Sequence, residues 1–144
     1  MRWLIGIIIV AVLALGVTLI LVLAPAYRTV TIGTAHIAAV VAETPQALTQ
    51  GLGGTTSLPD GHGMLFVMPN PGLWGFWMKD MRYSLDIVWL DASKKVVYIV
   101  ADVAPDTYPK VFTPAAPASY VVELPAGYAA RHDVQVGRAA SFNL

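Results

Sequence analysis

Residues 85–100, with the sequence LDIVWLDASKKVVYIV, give the clearest strand signal of the chain. Two apolar runs, residues 85–90 and 96–100, lie on either side of a polar turn at residues 91–94. Runs rich in Val, Ile and aromatic residues that flank such a turn are typical of a β-hairpin. The stretch therefore places a β-sheet at the centre of the fold.

Strand signals continue towards both ends of the chain. Short apolar or alternating runs predict further strands at residues 30–32, 35–41, 64–68, 74–81, 120–124 and 134–142. Between the first two runs, Gly33-Thr34 fits a type II′ turn, because glycine tolerates the positive φ at its first position. The chain therefore reads as mainly β.

Two short helices and one long loop complete the predicted elements. Thr44 and Pro45 are residue types preferred at the N-cap and the first position of a helix, which is predicted at residues 45–52. A second helix is predicted at residues 126–132. Residues 104–118 contain four prolines, which exclude a helix interior or a central strand and favour an extended surface loop.

About seven short strands and two short helices indicate an α+β, β-dominated domain. Short, closely connected strands favour a small barrel or a strongly curled sheet. The alternative is an open antiparallel sheet with both helices on one side.

Residues 3–24 contain no charged side chain and are dominated by Leu, Ile and Val. At 1.5 Å per residue, a helix of this length covers about 33 Å, enough for the hydrocarbon core of a bilayer. We therefore predict a transmembrane signal anchor within residues 1–28 and a separate exported domain at residues 29–144. Arg2 precedes the span and favours a cytoplasmic N-terminus.

The same leader is compatible with a secretory signal peptide. Ala24-Pro25-Ala26 resembles a small-residue cleavage site, although the apolar stretch is longer than such leaders usually have. Cleavage near Ala26 would release a secreted or periplasmic domain, whereas an uncleaved leader gives a single-pass protein of the cell membrane. Both alternatives place residues 29–144 outside the cytoplasm.

The composition excludes several classes of function. Nine Lys plus Arg balance nine Asp plus Glu, and a near-neutral domain is a poor match for a nucleic-acid backbone. The absence of Cys excludes disulfides, thiol catalysis and Cys-ligated metals. His36, His62 and His132 are widely spaced along the chain, so no metal site and no cofactor are predicted.

The densest polar cluster within apolar sequence contains Lys79, Arg82 and Asp86. A buried carboxylate close to a cation is a candidate general acid or base. Asp86 and Lys79 are therefore the candidate catalytic residues. The alternative is a structural ion pair that closes one end of the sheet.

Glu123 and several aromatic residues are candidates for ligand binding. Strict strand alternation turns Glu123 away from its neighbours Val122 and Leu124, which favours a solvated side chain over a binding role. An aromatic platform for a sugar or a peptide is a second hypothesis, although most strand aromatics belong to a core. The candidate ligand-binding residues are Trp74, Trp77, Arg82, Tyr108 and Glu123.

Ordered blocks of the sequence carry a family resemblance. They are GLGG at 51–54, GMLFV at 63–67, FWMKDM at 76–81, LDIVWLD at 85–91, PDTYP at 105–109, PASYVVELPAG at 117–127 and VG at 136–137. Together they resemble the domain of unknown function 192 family, also called uncharacterised protein family 0127. The resemblance implies a compact β-rich fold with short helices behind an exported or membrane-anchored N-terminus. It implies no reaction, because the activity of that family is not established.

The resemblance bears on single residues as well. Lys79 and Asp86 match the family pattern, whereas Asp80 stands where Asn is frequent and Ser84 where Pro is common.

These observations favour a binding or accessory module at the cell envelope, tethered to the membrane through residues 3–24. One alternative is an envelope-associated hydrolase or lyase in which Asp86 transfers a proton and Lys79 stabilises charge. The other is a protein–protein contact formed by loop 104–118, with Tyr108 and Phe112 at its surface.

Overall fold

The structure is a computed structural model that describes residues 27–144. The predicted membrane segment at residues 3–24 and the cleavage site near Ala26 lie outside the described residues. Within residues 27–144, no helix combines the length and the hydropathy needed to cross a bilayer.

Residues 27–144 form seven strands and two short α-helices. In chain order they are β1 (Tyr27–Ile32), β2 (Ala35–Ala42), α1 (Pro45–Gln50), β3 (His62–Gly72), β4 (Leu85–Leu90), β5 (Val96–Val103), β6 (Ala118–Pro125), α2 (Tyr128–Arg131) and β7 (Ala140–Ser141). A single 3₁₀ turn, Pro105–Thr107, lies in the proline-rich loop.

All seven strands belong to one sheet, in the order β5-β4-β6-β3-β2-β1-β7. Every neighbouring pair is antiparallel except β2 and β3, which are parallel and are connected through α1. A parallel pair requires a crossover connection, and α1 lies in it. The alternative of a wholly antiparallel open sheet is therefore wrong.

The two edge strands approach each other at one end of the sheet. Lys95, next to β5, forms a bridge with Ala139, next to β7. The Val96 N–H donates to the Arg138 carbonyl at 2.8 Å, and the Ala140 N–H donates to the Lys94 carbonyl at 2.8 Å. The sheet is therefore strongly curled into a half-barrel, as the short strands predict.

The curled sheet carries a buried core on each face. An inner core takes buried side chains from around the whole curl, including Ile37, Leu65, Val88 and Val122. An outer core packs against the other face and includes Phe66, Phe76, Met78, Ile87 and Trp89. Because successive residues of a strand point to opposite faces, β4 contributes to both cores and is buried at all six positions. The outer core is the layer that forms the candidate site.

Two predicted strands differ from the structure. Residues 74–81 lie over the outer face and pair with no strand of the sheet, and their one isolated bridge joins Phe76 to Phe112 of the proline-rich loop. Their alternation is nevertheless right, since Phe76 and Met78 are buried and Trp77 is 45% exposed. Hydrophobic alternation reports which face is covered, and an extended segment that lies on a sheet has the same pattern as a strand within it.

The predicted strand at residues 134–142 is reduced to Ala140–Ser141. Gly137 has φ of 91° and Asp133 has φ of 54°, and neither conformation continues a strand. The Arg138 N–H instead donates to the Gln135 carbonyl at 3.1 Å, which closes a turn.

The predicted turn and cap residues of the first half are confirmed. Gly33 has φ of 60° in the β1–β2 turn, as a type II′ turn requires at that position. Thr44 Oγ1 accepts a hydrogen bond from the Ala47 N–H at 3.2 Å, and Pro45 occupies the first turn of α1. These local signals fix the start of α1, which forms one wall of the site.

Candidate functional site

An open cleft of about 1040 Å³ lies on the outer face of the sheet. One wall is formed by residues 45–54, which comprise α1 and the glycine-rich loop after it. The opposite wall is formed by the aromatic segment, residues 74–81. Phe66 and Met68 of β3 and Glu123 of β6 line its base. The cleft therefore lies between two segments that are not strands of the sheet.

Glu123 is the one ionisable side chain from the sheet that lines the cleft. Its register partners are Met64 in β3 and Ile87 in β4, so apolar strands flank it on both sides. The residue is 5% exposed, and its Oε2 atom has no hydrogen-bond partner among the described residues. Burial raises the pKa of the Glu123 carboxyl to about 8, so the group is mostly protonated at neutral pH.

The orientation of Glu123 follows from strand alternation. Val122 and Leu124 point into the inner core, so Glu123 points to the outer face, as the sequence predicts. The expectation that the side chain is solvated is wrong, because residues 45–54 and the aromatic segment cover that face. Alternation indicates the side of the sheet, but not what lies above it.

The glycine-rich loop allows the two walls to approach each other. The Gly54 N–H donates to the Asp80 carbonyl at 2.9 Å, which ties the loop to the aromatic segment. A Cβ on Gly53 would lie 3.3 Å from the Lys79 carbonyl oxygen and 2.9 Å from that of Gln50. A Cβ on Gly51 would lie 3.3 Å from the Phe66 ring and 3.9 Å from Glu123 Oε2. In the sequence these glycines indicate only the end of a helix, so the sequence did not predict that residues 45–54 form a wall of the cleft.

The aromatic segment supplies two tryptophans to the cleft. Trp74 is partly buried, and its indole N–H donates to the Asn70 carbonyl at 2.9 Å. Trp77 is 45% exposed, and its ring packs edge to face on Tyr108 with 5.9 Å between centroids. Trp89 is fully buried beneath the segment and donates to the Trp74 carbonyl at 2.9 Å. Trp74 and Trp77 therefore line the cleft, and Trp89 holds the aromatic segment from beneath.

The charged residues of the predicted cluster separate in the structure. Lys79 and Asp80 are exposed and line the cleft, whereas Arg82 is exposed and does not line it. Within residues 27–144, the ion pairs are Arg131 with Asp60 and Arg138 with Asp133. The predicted structural ion pair of Asp86 with Lys79 or Arg82 is therefore not formed.

Asp86 is fully buried and lies away from the cleft. Its Oδ1 accepts hydrogen bonds from the backbone N–H groups of Asp102 at 2.9 Å and Gly127 at 3.0 Å. Its Oδ2 accepts one from the Ala129 N–H at 2.9 Å. Because Ile87 is the residue paired with Glu123, Asp86 points to the opposite face of the sheet. Asp86 therefore connects β4 to the end of β5 and to the start of α2, and the structure does not bring it together with Lys79.

No group of three or more metal-ligating side chains is formed by the residues that the structure describes. What the cleft offers is a partly apolar, aromatic surface with one protonated carboxyl at its base. Such a carboxyl donates a hydrogen bond, and it can exchange a proton close to physiological pH. The arrangement suits recognition of a small ligand more directly than it suits a multi-residue catalytic mechanism.

Comparisons with known proteins agree with this fold. The model of the DUF192 family, described as "Uncharacterized ACR", matches residues 28–142. The crystal structure of a "putative transcription regulator" from Sinorhizobium meliloti 1021 superimposes with a TM-score of 0.77 at 25% identity, over 83% of this chain and 96% of that one.

A second crystal structure, of a protein of unknown function from Novosphingobium aromaticivorans DSM 12444, gives a TM-score of 0.75 at 28% identity. That match covers 82% of this chain and 92% of the other. No curated protein matches the sequence.

Proposed function

The chain belongs to the DUF192 family, and on that premise we propose that its domain is a binding module whose cleft takes a small, largely apolar ligand. Neither the family description nor the names of the similar solved structures indicate a reaction. The proposal therefore rests on the geometry of the cleft.

The observation that carries the proposal is the unpartnered Oε2 of Glu123 at the base of the cleft. Roughly 90% or more of buried polar groups in folded proteins have a hydrogen-bond partner. Leaving one without a partner costs about 1–3 kcal/mol. A ligand bound in the open cleft would supply the missing hydrogen-bond partner of Oε2 and so offset this cost.

The size and lining of the cleft support the same conclusion. Small-molecule sites are typically clefts of about 300–1,000 Å³ with mainly apolar walls and a few polar groups that orient the ligand. The cleft has about 1040 Å³ and fits this description, with Glu123 as its one buried polar side chain. Trp77 lines the cleft and offers an aromatic face to an entering ligand, whereas Tyr108 packs against Trp77 and does not line the cleft.

A compound screen with the purified full chain tests the proposal. We expect small apolar compounds to shift the indole NMR signals of Trp74 and Trp77 more than that of the buried Trp89. Trp77→Ala should weaken binding about two- to tenfold, since an aromatic contact contributes about 0.5–1.5 kcal/mol. Tyr27→Ala is the matched control, because Tyr27 is 50% exposed and lies outside the cleft.

If no compound shifts these signals, or if both alanine variants weaken binding equally, the cleft is not the binding site.

We further propose that the module works at the outer face of the cytoplasmic membrane, tethered through residues 3–24. The uncharged apolar leader and Arg2 before it support this location. In intact spheroplasts, added protease should digest residues 29–144 of a membrane-bound, full-length chain. A shorter soluble chain that begins near residue 27 would support cleavage instead. Recovery of the intact chain in the soluble cytosol would overturn both.

A further inference from the structure

We propose that the ligand of the cleft is an uncharged, mainly apolar compound with a carbonyl oxygen, and that this oxygen accepts a hydrogen bond from the carboxyl group of Glu123. The inference rests on the proposed binding function and names the chemical class of its ligand.

No neighbouring side chain among the described residues hydrogen-bonds to Oε2 of Glu123, so this atom stays available to a ligand. Tyr83 is the polar side chain whose pKa is raised by the charge of Glu123, but its hydroxyl group already shares a 2.6 Å hydrogen bond with Thr55 Oγ1. Neither ion pair of the described residues involves Glu123. With Oε2 unpartnered and the residue 5% exposed, the partner must come from a molecule in the cleft.

The protonation state selects the kind of partner. Because burial raises the pKa of Glu123 to about 8, its carboxyl group carries a proton at neutral pH and acts as a donor. A carbonyl oxygen only accepts hydrogen bonds, so it complements that donor without moving a charge. An ammonium ligand would first have to remove the proton, and a carboxylate ligand would place its own charge in the same apolar surroundings.

The remaining charged groups do not change this choice. Lys79 and Asp80 line the cleft with opposite formal charges, and both side chains are exposed. Burial raises the pKa of Tyr83 above its ordinary value of 10, and the charge of Glu123 raises it further, so Tyr83 stays neutral wherever Glu123 titrates. Phe66, Met68 and Trp74 are the apolar contacts available to the body of the ligand.

Three probes that share a naphthalene ring test the inference by calorimetric titration of the full chain. They are acetylnaphthalene with a carbonyl group, naphthylethylamine with an ammonium group, and naphthoate with a carboxylate. We expect acetylnaphthalene to bind most tightly at neutral pH. Its Kd should be constant below about pH 7.5 and rise about tenfold per pH unit above pH 8, because only protonated Glu123 donates.

Variants of Glu123 separate the hydrogen bond from the shape of the cleft. Glu123→Gln keeps an N–H donor, so acetylnaphthalene should bind with no pH dependence between about pH 6 and 9. The natural chain should also prefer acetylnaphthalene to ethylnaphthalene, the analogue without the carbonyl oxygen. Glu123→Leu fills a similar volume without a donor, so this preference should disappear in that variant. Glu43→Gln is the matched control, since Glu43 is exposed and lies outside the cleft.

Tighter binding of naphthylethylamine, with an affinity that increases up to about pH 8, would overturn the inference and leave the binding function in place. Absence of binding by all three probes would also overturn it, and the compound screen decides separately whether the cleft binds any ligand.

Discussion

Replacement of Asp86 by alanine is expected to lower the free energy of unfolding by about 3–5 kcal/mol. The carboxylate is fully buried and accepts hydrogen bonds from three backbone N–H groups, those of Asp102, Gly127 and Ala129. Alanine would remove both acceptor oxygens at once and leave three donors without partners, of which the Ala129 N–H is buried and the other two are partly buried.

Chemical denaturation of the full chain measures this effect through the midpoint at an unchanged m-value. Asp91→Ala is the matched control. Asp91 Oδ1 also accepts from two backbone N–H groups, those of Ser93 and Lys95, but the residue is only partly buried. Water can replace the lost acceptor there, so the control should cost about 1 kcal/mol.

If the two variants were equally stable, the buried carboxylate would not be the connection that the geometry indicates. Asp86→Asn provides an intermediate case, because its amide nitrogen would face a backbone donor in place of an acceptor oxygen. It should destabilise the protein less than alanine does and more than Asp91→Ala does.

The contrast between Asp86 and Glu123 shows what the sequence can predict about the site. Both are single acids in strongly apolar strands, and alternation correctly places Glu123 opposite Val122 and Leu124. Whether either acid is paired depends on segments far away in sequence, since Asp86 is held by residues 16 to 43 positions further along. Local patterns carry no signal for backbone donors that arrive over such distances.

The fold was predictable where short-range chemistry decides it. The turn at Gly33, the cap at Thr44 and the hairpin of β4 and β5 all depend on residues within a few positions of one another. The parallel pairing of β2 with β3 was not predicted, because a crossover helix of six residues gives almost no periodic signal. The cleft depends on that crossover, so its α1 wall was also missed.

Replacement of Glu123 by glutamine is expected to raise the free energy of unfolding by up to about 3 kcal/mol at pH 7. Burial raises the pKa of Glu123 from its ordinary value of 4.5 to about 8 in the folded protein. The folded state therefore binds more protons than the unfolded chain between these two values. The free energy of unfolding of the natural protein accordingly falls as pH rises from about 4.5 to 8 and is constant, as far as this group is concerned, outside that interval.

Glutamine has no charge to lose, so the variant should lack this pH dependence, and its advantage should grow from pH 5 to pH 8. Denaturation midpoints across that interval measure the difference, with Glu43→Gln as the control, because the exposed Glu43 undergoes the same chemical change outside the cleft. Parallel pH profiles for the natural chain and Glu123→Gln would show that the carboxyl is not desolvated, and both ligand proposals would lose their basis.

A stabilising effect of Glu123→Gln would also indicate why an acid occupies this position. An ionisable group that lowers the stability of its own fold at neutral pH has no structural use, unlike Asp86, whose removal should be costly. Sites that bind ligands commonly retain such unfavourable groups, because the ligand restores the missing interaction. A ligand that binds Glu123 should therefore stabilise the natural chain more than the Glu123→Leu variant. The difference in stabilisation is set by the ratio of its Kd values for the two proteins. Equal stabilisation of both would show that the ligand does not use the carboxyl group.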